Sequence, residues 1–324
     1  MLISNNNEQL FAIVRPLREV RSLGDSRRRS AYSATFAPGR AILSDHAFEL
    51  VTLKSGIKSL RLIANQETFH PGIGPIAEAQ ILHVQQQRLV ERCAKPGRFV
   101  IWDVGLGAAA NALCAIQALQ HCQADVDMHS FDLTTAPLEF ALRHAAELGY
   151  LEAYQEPTRH LLTTGQVSLG RVRWYLHRGD FRQEMLRPDL PSPEAIFYDP
   201  YSAAGNREMW TLEHFSELRR RLDDDTSCLV TNYTRSTVMR VTWLLAGFYV
   251  GIGAAIGEKA ETTVASNRLS TLDRPLGRSW LQRIALSHSA SPLRDALQPL
   301  APIAPEDWTR LLCHPQFNQQ EPDQ

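Results

Sequence analysis

From about residue 98 the chain alternates short apolar runs with longer stretches whose apolar positions recur at helical spacing. Arg98 to Val104 reads as a first strand, and Ala108 to Leu119, rich in alanine and leucine and free of proline, as its helix. Val126 to Phe131 is a second strand, with a helix from about Pro137 to Leu148 that Gly149 would stop. Val172 to His177 reads as a third strand, and Ala195 to Tyr198, apolar on both faces as a central strand should be, as a fourth. Leu212, Phe215, Leu218 and Leu222 give Trp210 to Leu222 the helical period, with Arg219-Arg220-Arg221 on its surface. Cys228 to Thr231 supplies a fifth strand and Thr237 to Ala246 a helix, and Phe248 to Ile252 with Glu261 to Ala265 forms a closing antiparallel pair. The alternation predicts an α/β fold: a doubly wound, mostly parallel, Rossmann-like sheet with ligand chemistry at the carboxyl ends of its strands.

The flanks differ. Residues 41 to 97 hold the loop Thr68-Phe69-His70-Pro71-Gly72-Ile73-Gly74-Pro75 and then a helix from Ile76 to about Cys93. From Leu269 the chain is dotted with prolines between short helical pieces and ends in a polar tail. Three regions follow: residues 1–97 as an arm and lead-in, 98–268 as the core and 269–324 as a C-terminal extension. No internal repeat or low-complexity tract is present.

Composition narrows the classes. With 324 residues, 44% of them hydrophobic, the chain can bury one large core with a modest appendage. Its formal charge of -1 gives no global field that advertises nucleic acid. Residues 1 to 40 do carry Arg15, Arg18, Arg21, Arg27, Arg28, Arg29 and Arg40 against Glu8, Glu19 and Asp25, the composition of a solvated lead-in or an RNA-facing arm. The five cysteines are scattered and never spaced as CxxC, which argues against a disulfide framework and a zinc site and fits a reducing cytoplasm; no metal is expected. Met1 to Gln9 lacks the order of a signal peptide. The uncharged run Val241 to Gly257 is cut by four glycines and is shorter than the ~20 apolar residues of a spanning helix. It reads as a buried helix end and strand, and no membrane partner is expected.

Two loops carry candidate chemistry. The first is Trp102-Asp103-Val104-Gly105-Leu106-Gly107. Glycine is needed where a ligand must touch backbone that a β-carbon would shield, and Gly105 and Gly107 are placed for that. Gly105-x-Gly107-x-x-Ala110 also fits the looser form of a nicotinamide-binding loop. Asp103 tilts the choice: a carboxylate at the strand's end can hold the cationic amino group of a methionine moiety but would repel a pyrophosphate. S-adenosylmethionine is therefore the expected cofactor. Asp132, after the second strand, is placed to accept both hydroxyls of a ribose, or to cap the helix near Thr134. Asp180, after Gly179, is placed for the adenine amino group, or for an ordinary surface turn.

The second loop is Phe197-Tyr198-Asp199-Pro200-Tyr201. An amine attacks a sulfonium methyl only when deprotonated and aligned, so a site for that reaction needs positioning and a proton acceptor. Asp199 can hydrogen-bond the amine and take the proton, Pro200 fixes the backbone, and Tyr201 offers a face for stacking or for developing positive charge. Asp-Pro is also a common turn opener.

Phe197-Tyr198-Asp199-Pro200-Tyr201-Ser202 followed by Gly205-Asn206-Arg207-Glu208-Met209-Trp210 resembles the Asp-x-Phe-x-Pro-x-x-Asn-Pro-x-x-Trp signature of the tRNA 5-methylaminomethyl-2-thiouridine methyltransferases. Glu67 to Pro75 with Glu78 resembles that family's lead-in, and Asp103-Val104-Gly105-Leu106-Gly107 its first-strand motif. The resemblance covers roughly residues 45 to 285. It implies a class I S-adenosylmethionine-dependent fold and N-methylation of the aminomethyl group on the wobble uridine of tRNA, with the anticodon region as partner. It also implies Asp199 as base; Glu78, on the helix that follows the loop, is placed to reach the cofactor's methionine end. Many members fuse this domain to a flavin-dependent oxidase; this chain has no second dinucleotide loop and reads as a stand-alone methyltransferase. Three departures stand out: proline follows the key aspartate, tyrosine replaces phenylalanine at 201, and Arg207 stands where proline is usual.

Competing readings are an aminopropyl transferase resembling spermidine synthase, which would want a second acidic anchor, and a nicotinamide-dependent oxidoreductase, which lacks an evident catalytic Lys. A third is an RNA-binding module that kept the pocket. His70 reads as a structural loop residue or a proton shuttle, and Trp210 as a packing residue or a base stacker. Arg27 to Arg29, Arg207 and Arg219 to Arg221 are candidates for gripping phosphate.

Overall fold

The structure, a computed structural model, describes residues 47–318. The arginine-rich stretch and the end of the polar tail lie outside the described residues. The described residues fall within one compact unit. Among them no helix is long and apolar enough to cross a membrane.

Two sheets are present among the described residues. A small antiparallel one comprises β1 (Phe48–Thr52), β2 (Lys58–Leu62) and β3 (Glu67–Thr68) in that order. The large one is built from β4 (Arg98–Val104), β5 (Asp125–Asp132), β6 (Gln166–Leu169), β7 (Val172–Arg178), β8 (Ala195–Tyr198), β9 (Leu229–Asn232), β10 (Tyr249–Gly253) and β11 (Thr262–Ser266). Its order is β10-β11-β9-β8-β4-β5-β7-β6. The five inner strands from β9 to β7 pair in parallel, while β6, β11 and β10 add antiparallel edges. The expected doubly wound sheet is therefore the observed one.

The chain runs outward from β4 through β5 to β7, then returns to place β8 on the other side of β4. That reversal is the topological switch point, where diverging loops open a crevice at the carboxyl ends of the strands. In register, Asp103 faces Phe197 and Val104 faces Tyr198 across the β4–β8 pair. A continuous apolar core, with Trp102, Tyr198, Trp210, Phe215, Trp243 and Phe248 among its members, fills one face of the sheet.

Several elements differ from the sequence expectation. The helix expected over 76–93 is three pieces: Pro75–Ala79, a π-helical segment Gln80–Gln85, and Leu89–Arg92 after Arg88 at φ 50°. Wide i→i+5 turns of this kind often mark functional sites, and this one carries the buried His83. The helix expected over 137–148 breaks at His144. A helix at Gln155–Thr164 and the edge strand β6 were not foreseen. Nor was the β1–β3 sheet, whose strands are short and mix polar with apolar positions.

Candidate functional site

At the carboxyl end of β4 the chain enters two left-handed glycines, Gly105 at φ 91° and Gly107 at φ 51°. The amides of Gly105 and Leu106 both donate to the Phe131 carbonyl, at 3.0 and 3.1 Å, tying the turn to the end of β5. A β-carbon on Gly105 would stand 2.5 Å from the Asp199 carbonyl oxygen and 3.0 Å from Pro200 Cα. Ligand approach is the sequence expectation for this glycine; the structure gives it instead to the backbone of Asp199 and Pro200, which presses against the turn. Gly107 is similar: a β-carbon there would meet the Phe69 ring at 3.1 Å. Both glycines let other protein segments close in, and so set where those segments hold their side chains.

Asp103 is fully buried. Its Oδ2 accepts from the Ser130 hydroxyl at 2.7 Å, and that hydroxyl in turn accepts from Trp174 Nε1 at 2.8 Å. Its Oδ1 is buried with no partner among the described residues. Burial pushes the carboxyl up to about 7; the Ser130 hydrogen bond opposes this, and the neighbouring Asp199 and Asp132 charges reinforce it. A buried carboxylate oxygen without a donor is costly unless something arrives to complete it.

Asp132 ends β5 with both oxygens engaged: Oδ2 accepts from the Gly107 amide at 2.9 Å and Oδ1 from the Thr134 amide at 3.1 Å. Burial raises it to about 6 against those bonds. The helix beyond begins at Ala136 with Thr135 as its N-cap, so Asp132 orders the turn before the helix rather than capping it. A carboxylate offers about four acceptor positions, leaving two toward a ribose.

Asp199 follows β8 directly. Its amide donates to the Val104 carbonyl at 2.9 Å, which fixes it beside the β4 turn. Its Oδ2 accepts from Asn111 Nδ2 at 2.7 Å. Burial raises its carboxyl above the usual range, while His70, Asn111 and Lys259 pull the other way. Asn111 was not foreseen, although an asparagine on the buried, alanine-rich face of the helix Ala110–Ala118 was the available signal.

The lead-in loop closes the group. Its first part is pinned to the small sheet: the Phe69 amide donates to the Leu60 carbonyl at 2.8 Å and the Ser59 hydroxyl to the Phe69 carbonyl. Its second part is held by Glu78, whose Oε1 accepts from the Gly72 and Ile73 amides at 2.9 and 3.3 Å. Glu78 Oε2 lies 3.6 Å from His70 Nδ1. Glu78, expected to reach the cofactor's methionine end, holds this loop through Oε1. Burial alone would raise its carboxyl, but His70 and the two amides bring it below its ordinary value. His70 itself sits at φ 47°, and the same Nδ1 also lies 3.9 Å from Asp199 Oδ2. Tyr201 meets the Phe69 ring edge-on, with centroids 5.5 Å apart.

Asp180 stands apart from this cluster. Its side chain caps the short helix Phe181–Glu184 through the Arg182 amide and binds the Arg182 guanidinium with both oxygens. Burial raises it, but the Arg182 bonds outweigh that and hold it below the usual carboxylate range. An adenine amino group would have to share it with that guanidinium. The suggested phosphate grips are engaged as well: Arg207 donates to the Arg294 carbonyl, Arg219 pairs with Asp224, Arg220 with Glu217, and Arg221 donates to the Met185 carbonyl. Trp210 is a packing residue, 1% exposed, with Nε1 on the Tyr201 carbonyl at 2.9 Å.

Comparison with known proteins places this geometry. Residues 149–268 match a family described as S-adenosyl-L-methionine-dependent methyltransferase. The chain is 31% identical over 203 residues, 57% of its length and 29% of theirs, to the tRNA 5-methylaminomethyl-2-thiouridine biosynthesis bifunctional protein MnmC of Pseudomonas fluorescens. The same-named protein of Ectopseudomonas mendocina is 31% identical over 228 residues, 66% of this chain and 34% of that one. The chain therefore spans about a third of the length of the curated relatives it matches. The solved structure of MNMC2 from Aquifex aeolicus superimposes with a TM-score of 0.61 at 23% identity, covering 89% of this chain and 91% of that one. The fold is the class I methyltransferase fold, and the resemblance to these tRNA 5-methylaminomethyl-2-thiouridine proteins is borne out. The site fits the cofactor this family uses: the unpartnered Asp103 Oδ1 suits an ammonium, and Asp132 has acceptor capacity to spare for hydroxyls.

Proposed function

We propose that the chain is an S-adenosyl-L-methionine-dependent N-methyltransferase whose acceptor is the aminomethyl group on the wobble uridine of tRNA. One observation carries the reading. Asp199 stands at the end of β8, hydrogen-bonded through its own amide to the end of β4, so its carboxylate and that of Asp103 lie together at the switch point. The substrate follows from the relatives' names, which assign them to tRNA 5-methylaminomethyl-2-thiouridine biosynthesis.

S-adenosylmethionine supplies an electrophilic methyl group on a sulfonium. Asp103 would hold its cationic amino end through the unpartnered Oδ1, and Asp132 would hold the ribose. Asp199, oriented by Asn111, accepts a hydrogen bond from the acceptor amine and aims its lone pair. The amine would take the methyl as the sulfonium S–C bond breaks, with that bond's electron pair staying on the departing thioether, and would give one proton to Asp199 to leave a neutral secondary amine. General-base assistance of this kind contributes about 10²–10⁴-fold. Burial around Asp199 offsets the tendency of a carboxylate to favour the protonated amine. Tyr201, against Phe69 at the mouth, is placed to present a ring to the uracil or to the developing cation. The base must leave the anticodon stack to enter, and phosphate contacts outside should make tRNA binding salt-dependent while cofactor binding is not. Such a substrate puts the protein in the cytoplasm.

The test is incubation with methyl-labelled S-adenosylmethionine and bulk tRNA from cells lacking the modification, followed by digestion to nucleosides. Label on a wobble uridine is the expected result. Label on a polyamine, or none with tRNA, rejects the acceptor.

A further inference from the structure

His70 combines three features that a loop histidine rarely shows together. It adopts a left-handed backbone at φ 47°, a conformation that is sparsely populated for residues other than glycine and persists only where the surroundings enforce it. Its side chain is only 15% exposed. Its Nδ1 lies between two carboxylates of different elements, Glu78 at 3.6 Å and Asp199 at 3.9 Å. The enforcement is visible on both flanks: Ser59 and Leu60 hold Phe69, and Glu78 holds the amides of Gly72 and Ile73. Glu78 therefore does two jobs with its two oxygens, fixing the loop with one and facing the imidazole with the other.

We propose that His70, whose Nδ1 lies within 4 Å of both Glu78 and Asp199, is a positioning residue that acts through its charge on the Asp199 carboxylate and so readies it for the acceptor amine. This rests on the methyltransferase reading given above. The charged groups facing the pair set the balance. Burial presses the imidazole toward neutrality, but Glu78, Asp199 and Asp103 together outweigh it and raise it above its ordinary value. In return His70 is the largest influence that holds the Asp199 carboxyl down against burial, ahead of Asn111 and Lys259, while Glu78 pushes it up. His83, from the π-helical segment, adds no competing cation: burial pushes it down to about 3, its Nδ1 is within 2.9 Å of Thr231 Oγ1, and it is neutral. The imidazolium is thus the cation nearest Asp199 on the lead-in side, with Lys259 acting from the β10–β11 connection.

The test uses the full chain and His70→Asn, because asparagine tolerates the left-handed backbone better than most residues. An opposite charge within 4–6 Å shifts a carboxylate by about one unit or more. The acid limb of the kcat/KM profile should therefore move up by about one pH unit. The variant should then lose activity progressively toward acid pH and approach wild type toward alkaline pH, where Asp199 ionises without the imidazolium's help. S-adenosylmethionine affinity at pH 8 should be unchanged. The amine's own titration is common to both proteins and cancels. An equal loss at every pH would mean a merely structural histidine and overturn the proposal. A second readout needs no turnover: the His70 imidazole, followed by NMR, should titrate above 6.5 in the wild type and fall in Asp199→Asn. If it titrates identically in both, the coupling is absent whatever the substrate proves to be; if it shifts while tRNA is not methylated, only the acceptor assignment fails.

Discussion

Tyr198 and Asp199 are consecutive residues at the end of one strand, and they face opposite worlds. Tyr198 points into the apolar core, fully buried among Trp210, Phe215 and Trp243, and its hydroxyl reaches the Met209 carbonyl and His214 Nε2. Asp199 turns into the crevice, where Asp103 Oδ1 and Asn111 Oδ1 are buried without partners and three carboxyls, Asp103, Asp132 and Asp199, are raised by burial. The core face carries the aromatic packing, with Trp243 Nε1 and His214 Nδ1 buried there without partners; the crevice face instead gathers buried acids whose demand a cationic ligand can meet. Natural sites commonly trade stability for function in this way.

Substitutions on the two faces should therefore separate. Trp243→Ala, which removes the ring stacked on Phe215 at 3.7 Å, should cost about 3–5 kcal/mol in urea unfolding and lower activity only through the folded fraction. Asp199→Asn should do the reverse. Turnover falls by about 10²–10⁴-fold, while stability at neutral pH holds or rises because a buried acid that resists ionisation has gone. Gly105→Ala breaks the division, since its β-carbon would strike the Asp199 backbone at a φ of 91°. A loss of about 1–3 kcal/mol in thermal unfolding should come with displaced catalysis.

Protons sharpen the contrast further. Asp103 binds its proton at about 7 in the folded chain against 3.8 for a solvated aspartate, so the folded state holds the extra proton between those values. The stability of the ligand-free protein should then fall as pH rises from 3.8 to about 7. Cofactor affinity should climb over the upper part of that window, by up to about tenfold per pH unit, as Asp103 becomes free to meet the ammonium. Isothermal titration across pH 5.5–8 checks this, and Asp103→Asn should weaken binding and flatten its pH dependence. The smallest effect expected is Tyr198→Phe, about 1 kcal/mol in urea unfolding from the hydroxyl shared with Met209 and His214, with unchanged cofactor affinity.

Much of this division was legible in the chain because strands leave strong local marks. The apolar runs 98–104 and 195–198 announced the central pair, and acids one residue past β8, or at the ends of β4 and β5, announced the crevice. What was not legible depends on contacts between distant segments. Gly105 looks the same in sequence whether a ligand or the Asp199 backbone needs the space, and only the fold decides. Glu78 sits in a helix with a free-looking carboxylate until the loop at Gly72 and Ile73 closes on it. The break at Gln80–Gln85 has no glycine or proline to mark it, and the short strands of the small sheet carry too little alternation to register. Asp180 shows the limit of position alone: it stands at a strand end like the other acids, yet an arginine two residues on neutralises it.

The central claim is that the crevice binds the cofactor through Asp103 and performs the transfer through Asp199, as separable tasks. The most direct measurement is a paired one on Asp199→Asn: equilibrium affinity for S-adenosylmethionine, and the single-turnover rate of methyl transfer to unmodified tRNA. The account predicts affinity within about twofold of wild type and a rate reduced by about 10²–10⁴-fold. A variant that loses the cofactor, or that transfers methyl at the wild-type rate, would contradict it.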